Sequence, residues 1–198
     1  YHFSVFSPTR HLWATNADPL PDFKENGGLK RNDKLIRAFA RIVKVGVVER
    51  PLLLLCEYGA DVSFSKRLIE ELGIAEHVKW LPLLGRKEIA LIMNPVTVVA
   101  DQFRVGMSAT SAGTTNEALA CGKPIITNTD GALEDSQDPY FSSPILQAIS
   151  EQEIYSSLYK LALSPDLARN LGEAGLKWFE GNLSFGLASK YTDLLFRR

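Results

Sequence analysis

Arg10 and Lys30 are the first residues whose type and placement suggest chemistry. Arg10 comes four residues after a short apolar strand ends at Phe6, and Lys30 stands at the start of the next helical pattern. Two cations converging on one strand-end crevice suit a diphosphate, because a guanidinium can bind two oxygens at once. Lys30 also opposes the amino end of a helix dipole, which by itself favours negative charge. The plain alternative is a solvated loop arginine and a surface lysine, the commoner outcome for patterns this short. The second chemical segment is Gly106 to Pro124, GMSATSAGTTNEALACGKP. Small side chains there let a ligand approach the backbone, and free amides at a helix start attract anions. Thr114 and Thr115 add hydroxyl donors. Glu117, one turn into the helix, can accept hydrogen bonds from sugar hydroxyls. It can equally close a capping box with Thr114, which requires no ligand.

These residues need elements to position them. An apolar strand at His2 to Phe6 leads into an irregular stretch over 11–28, broken by Pro19, Pro21, Gly27 and Gly28. So long a loop in a compact domain is often functional. A helix is expected from about Asn32 to Lys44, capped by Asn32 or Asp33, with Leu35, Ile36, Phe39, Ile42 and Val43 inward. Pro51 to Cys56 is a continuous apolar run, as in a strand covered on both faces. Helices at Ser63–Leu72, Lys87–Met93 and Gly113–Ala120 alternate with strands at Val78–Leu83, Val96–Ala100 and Pro124–Thr127. A short strand at Ile145–Ala148 precedes three helices, near Glu151–Leu163, Asp166–Glu180 and Phe185–Arg197. Leu167, Leu171 and Trp178 are the inward residues expected of the second of these. The alternation predicts an α/β fold, a Rossmann-like open parallel sheet with helices on both faces. Ligands of such sheets sit at the carboxyl ends of strands where strand order reverses. That directs attention to the loops after residues 6, 56, 83, 100 and 127.

Composition narrows the function classes. The chain has 198 residues, 45% hydrophobic and 23% charged, with net charge −1. It carries no electrostatic footprint for nucleic acid. Cys56 and Cys121 are too few for a disulfide framework or a cysteine-rich zinc site. The longest apolar stretches are split by Glu49, Arg50 and Pro51, far short of the ~20 residues that span a bilayer. The histidines, His2, His11 and His77, are too scattered for a helical metal pair, and His11 is expected to be a solvated loop residue or, beside Arg10, a phosphate contact. The acidic residues Glu134, Asp135 and Asp138 are expected in a solvated loop. No Walker loop, nucleophile elbow or dinucleotide fingerprint occurs. The missing initiator methionine suggests a piece of a longer protein.

The run Glu117-Ala118-Leu119-Ala120-Cys121-Gly122-Lys123-Pro124 resembles the glutamate-alanine signature of retaining, GT-B-fold glycosyltransferases of the glycogen synthase and sucrose synthase-like group. There it lies in the carboxyl-terminal, donor-binding domain. Pro8-Thr9-Arg10 and Lys30 to Phe39 are similar to the start of that domain, and the later elements follow its order over nearly the whole chain. The resemblance implies that Arg10 and Lys30 hold the donor's diphosphate as the catalytic cations and that Glu117 binds ribose hydroxyls. It assigns the amides of Gly113, Thr114 and Thr115 to the phosphates or donor sugar, and places the base against Pro82, Leu83 and Leu84. Two positions depart from the pattern. Ala109 stands where a second glutamate often contacts the sugar, so Gln102 or Asp101 becomes a substitute. Arg31 stands where the family has glycine.

The resemblance further implies a nucleotide-diphosphate sugar as donor substrate, no separate cofactor, and no metal, in agreement with the lack of an Asp-x-Asp triplet. Residues 1–183 would form the donor domain. Residues 184–198 would form a helix packing toward a missing amino-terminal domain, which would bring a sugar or lipid-linked acceptor. The expected setting is cytoplasmic, with peripheral membrane contact open to the intact enzyme and turnover absent from the fragment. A related epimerase or phosphorylase, or a degenerate nucleotide-binding domain, remains the alternative.

Overall fold

A computed structural model describes residues 3–14, 30–104, 113–129 and 142–183. The strands are β1 (Phe3–Ser7), β2 (Pro51–Cys56), β3 (Val78–Leu81), β4 (Val98–Ala100), β5 (Ile125–Thr127) and β6 (Leu146–Gln147). The helices are α1 (Asn32–Val45), α2 (Val62–Glu71), α3 (Arg86–Met93), α4 (Gly113–Ala120), α5 (Glu151–Leu163) and α6 (Pro165–Asn182). The strands form one parallel sheet in the order β3-β2-β1-β4-β5-β6. The chain thus builds outward from β1 to β3, then returns to the other side of β1 and builds outward again. The reversal lies between β1 and β4, with Val5 opposite Val98 and Phe6 opposite Val99. The expected α/β architecture is the observed one.

The sheet is apolar on both faces because each strand alternates its side chains between two cores. Phe3 and Val5 of β1, Leu53 and Leu55 of β2, and Val98 and Ala100 of β4 join α1, α2 and α5 in one core. Phe6, Cys56, Val99 and Ile125 point the other way and pack with Met93 of α3 and with Ala118 and Leu119 of α4. α1 buries Leu35, Ile36, Phe39 and Ile42, the face its periodicity predicts.

Three local expectations change. α1 begins at Asn32, and its capping residue is Arg31, in the left-handed region at φ 57° and ψ 43°, with no side-chain cap. Neither Asn32 nor Asp33 caps the helix, because both side chains have other partners. Asp33 holds the Arg31 guanidinium through two hydrogen bonds of 2.9 and 2.8 Å. That clamp offsets the left-handed backbone a glycine would adopt freely. Thr114 does not cap α4 either, because the helix already begins at Gly113. In α6 the buried residues are Ala168, Gly172 and Gly175, while Leu167 is exposed. The reason is close approach: a Cβ at Gly172 would stand 2.1 Å from the Gly122 carbonyl oxygen, so α6 meets the turn after α4 backbone to backbone. The expected helix at 185–197, the acidic loop at 134–138 and Ala109 lie outside the described residues.

Candidate binding site at the β1/β4 switch

Parallel strands diverge where their order reverses, and the loops leaving β1 and β4 must part to opposite sides. The loop after β1 carries Thr9 and Arg10. It is fixed by backbone bonds from His11 N to Tyr58 O (2.9 Å) and from Lys30 N to Leu12 O (2.6 Å). Asn32, buried in the first turn of α1, accepts from Leu12 N at 3.1 Å and donates to Thr9 O at 3.4 Å. One amide side chain therefore ties the Arg10 loop to the helix that begins beside Lys30. Arg10 itself is exposed.

Lys30 is tied at both ends. Its carbonyl accepts from Phe103 N at 3.1 Å, and its ammonium donates to Gln102 Oε1 at 2.5 Å. Burial lowers its pKa, the Asp101 charge raises it, and the Arg104 and Arg10 charges lower it further. Those opposing influences place four charged groups around one point.

Asp101 is the centre of that group. It is 3% exposed. Thr9 Oγ1 donates to its Oδ1 at 3.0 Å and Thr115 Oγ1 to its Oδ2 at 3.1 Å. Burial raises its pKa, while Lys30, the two threonine hydroxyls and Arg104 act to lower it. Burial is the largest of these influences, so the carboxyl sits above the usual carboxylate range, and the hydroxyls and cations offset only part of that cost. The Thr115 bond also docks the first turn of α4 onto the carboxyl end of β4.

α4 begins at Gly113, with no atom of the described residues within 4 Å of where a Cβ would stand. Thr114 follows, half-buried, and then Thr115, buried with its hydroxyl committed to Asp101. The Thr115 hydroxyl is therefore committed to Asp101 rather than offered to a ligand, which leaves the backbone amides of Gly113, Thr114 and Thr115 and the Thr114 hydroxyl as the groups expected to meet one. Glu117 is half-buried and faces Arg86, 3.9 Å away at the start of α3. Its pKa is raised by burial, lowered by Arg86 and raised by Asp101. The Pro82–Gly85 loop leads into Arg86, and Leu83 on it is 67% exposed. Gln102, expected as a reach toward a sugar, is buried with its side chain bonded to Lys30.

Lys30 thus lies within electrostatic reach of Arg10 and Asp101, and Glu117 within that of Asp101, at the carboxyl edge of the sheet. Sequence reasoning missed Arg104, which adds another positive charge beside Lys30 and Asp101. Its signal was positional: it follows the carboxyl end of β4 by four residues, as Arg10 follows that of β1 by three. The threonine at 9 was also missed as a ligand of Asp101, because only the pairing of β1 with β4 makes them neighbours.

His11 corrects another expectation. It is fully buried, neither a solvated residue nor a phosphate contact. Its Nδ1 lies 2.7 Å from Ser65 Oγ, and its ring centroid lies 5.0 Å from that of Trp80. Ser65 Oγ also accepts from Trp13 Nε1 at 2.8 Å, so one hydroxyl ties the imidazole to the indole. Nε2 has no partner among the described residues. Burial lowers the His11 pKa to about 4, against a smaller raising influence of Asp61. The ring is neutral packing under the Arg10 loop.

Among the described residues, no three histidine, cysteine, aspartate or glutamate side chains group as a metal site. No helix among them is long and apolar enough to cross a membrane. Cys56 is buried, its pKa raised by burial to about 11, and Cys121 packs against the same core.

A family model described as "Glycosyl transferases group 1" matches residues 27–178. No curated protein matches the sequence. Among solved structures, Anabaena Alr3699/HepE in complex with UDP-glucose is 17% identical, with a TM-score of 0.68 over 98% of this chain and 48% of that one. Sucrose-phosphate synthase from Thermosynechococcus elongatus is 18% identical, with a TM-score of 0.68 over 98% of this chain and 45% of that one. The carboxyl-terminal domain of the Francisella tularensis group 1 protein LpcC is 16% identical, with a TM-score of 0.63 over 96% of this chain and 86% of that one. The chain therefore spans about half the length of the first two structures, and these likenesses establish the fold.

Proposed function

The chain belongs to the glycosyl transferases group 1 family, and on that premise we propose that it is the donor-binding half of an enzyme that moves a sugar from a nucleotide-diphosphate sugar to an acceptor. The observation that carries this reading is the cluster at the β1/β4 reversal, where Lys30 lies within electrostatic reach of Arg10, Arg104 and the buried Asp101. The amino end of α4 is docked beside it through Thr115.

Cleaving a glycosyl–diphosphate bond builds negative charge on the leaving diphosphate. Cations already fixed there stabilise that charge more than the ground state and need not reorganise as it forms. Arg10 and Lys30 hold the two phosphates, and Gly113 and Thr114 offer backbone amides. Glu117 accepts from the ribose hydroxyls, its carboxylate turning from Arg86 to the sugar. The exposed Leu83 loop covers the base. Charge stabilisation by these residues requires no metal ion, and we take the transfer to be metal-independent and to retain configuration, as the resemblance of the Glu117–Pro124 run implies. A solved UDP-glucose complex among the similar structures supports a nucleotide sugar as the ligand.

The acceptor and the other catalytic groups belong to a second domain in this reading. The chain alone then binds donor without transferring it. Cytoplasmic assembly of a polysaccharide or glycolipid is the setting the family resemblance suggests.

Calorimetric titration of the 198-residue chain with UDP, GDP and ADP, and with the parent nucleosides, tests the proposal. One diphosphate should bind at millimolar concentration or tighter. Arg10→Ala and Lys30→Ala should each weaken it by roughly 10- to 100-fold, the loss of one charge-assisted contact, and leave the nucleoside unchanged. Absence of binding by all three diphosphates, or equal losses for diphosphate and nucleoside, would overturn it.

A further inference from the structure

We infer that Asp101 and Gln102, consecutive and anchored at the carboxyl end of β4, form a positioning device for the Lys30 ammonium, fixing where it sits before any ligand arrives. The inference rests on the diphosphate reading of that cluster, but it concerns residues outside the set that touches the ligand.

Four observations converge. Asp101 and Gln102 are consecutive at the carboxyl end of β4, and each is 3% exposed. Gln102 Oε1 accepts from Lys30 Nζ at 2.5 Å, which fixes where the ammonium sits. The Gln102 carbonyl accepts from Asn128 N at 2.8 Å and from Thr127 Oγ1 at 3.2 Å, so the residue is anchored to the end of β5 and cannot follow the lysine outward. Asp101 is anchored likewise, its amide donating to Ile126 O at 3.0 Å and its carboxylate receiving Thr9 and Thr115.

A buried carboxylate is a poor way to join two threonines for stability alone, because its desolvation costs more than that of a neutral amide making similar bonds. The cost becomes intelligible from what surrounds it. Lys30 lies in a partly buried place that disfavours its charge, and Arg10 and Arg104 repel it there. When ionised, Asp101 acts on Lys30 against all three influences. Without it, Lys30 would shed its proton more readily or swing toward solvent. The charged and titratable groups facing this pair are Arg10 and the neutral Tyr58 phenol on the loops after β1 and β2, Arg104 after β4, and Glu117 on α4. Only Arg10 and Arg104 add positive charge, and neither can replace the carboxylate.

Asp101→Asn keeps the shape and removes the charge. In the free 198-residue chain, the Lys30 ammonium titration followed by NMR should move down by about 1–3 pH units. Affinity for the diphosphate that binds should fall at least about tenfold at pH 7 and further at pH 9. The nucleoside should bind as before, which a merely structural defect would not produce. Gln102→Met leaves the carboxylate in place and should weaken the diphosphate severalfold, again without affecting the nucleoside. It carries the test if Asp101→Asn fails to fold. An unchanged Lys30 midpoint in Asp101→Asn, or an unchanged diphosphate-to-nucleoside ratio in Gln102→Met, overturns the inference. The Lys30 titration requires no ligand, so a chain that binds no nucleotide would refute the functional reading while this measurement still decides the positioning role.

Discussion

Acidification should loosen the floor of the Arg10 loop through His11. The imidazole is fully buried between Ser65 and Trp80, and burial lowers its pKa from 6.5 to about 4. Below pH 6.5 the unfolded chain takes up a proton that the folded chain refuses until near pH 4. Stability rises with pH wherever the unfolded state binds more protons. The contribution of His11 is therefore fully present above pH 6.5 and is lost as pH falls toward 4. Two and a half pH units at about 1.4 kcal/mol each amount to about 3 kcal/mol. Urea unfolding at a series of pH values, followed by circular dichroism, measures this loss. Other groups titrate in the same range, so the informative quantity is the difference from His11→Asn, whose amide oxygen can still accept from Ser65. That variant should be less stable at pH 8 but should lose about 3 kcal/mol less than the wild type on acidification. Parallel pH profiles for the two proteins would refute the assignment of a neutral buried imidazole.

Gly172→Ala should destabilise by about 3 kcal/mol or more, because its Cβ would meet the Gly122 carbonyl oxygen at 2.1 Å and neither backbone can yield. Gly181→Ala in the same helix meets no atom of the described residues within 4 Å and should gain about 0.5–1 kcal/mol, and thermal melts of the two variants should move in opposite directions. Asn32→Ala strips the partners from Leu12 N and Thr9 O, costing about 1–3 kcal/mol in urea unfolding. The same variant should weaken diphosphate in the calorimeter more than nucleoside, because the Arg10 loop loses its tie to α1.

Much of the fold is legible along the chain because the signals are local. The uninterrupted Leu52–Leu55 run requires cover on both faces, and β2 has it. The spacing of Leu35, Ile36, Phe39 and Ile42 predicts one apolar stripe, and α1 buries it. Misreadings arise where a short-range rule competes with a contact distant in sequence. Asn32 has the right chemistry for a cap, yet Leu12 and Thr9 claim its side chain. Leu167 fits an inward stripe, yet α6 turns its glycines to the core because the Gly122 turn lies too close for a larger side chain.

Taken alone, the sequence determined which segments are strands and helices, that both faces of the sheet are apolar, and that Arg10, Lys30 and Glu117 stand at strand-end loops and a helix start. Periodicity and residue type express these features within a few residues of chain. Only the tertiary structure decided that Asp101 joins Thr9 to Thr115 across 92 and 14 residues of sequence, that Gln102 faces Lys30, and that Arg104 adds a cation beside them. Those contacts exist because β4 pairs with β1 rather than with the strand before it in the chain. Sheet order is set by how the two cores pack, and no short stretch of sequence carries it.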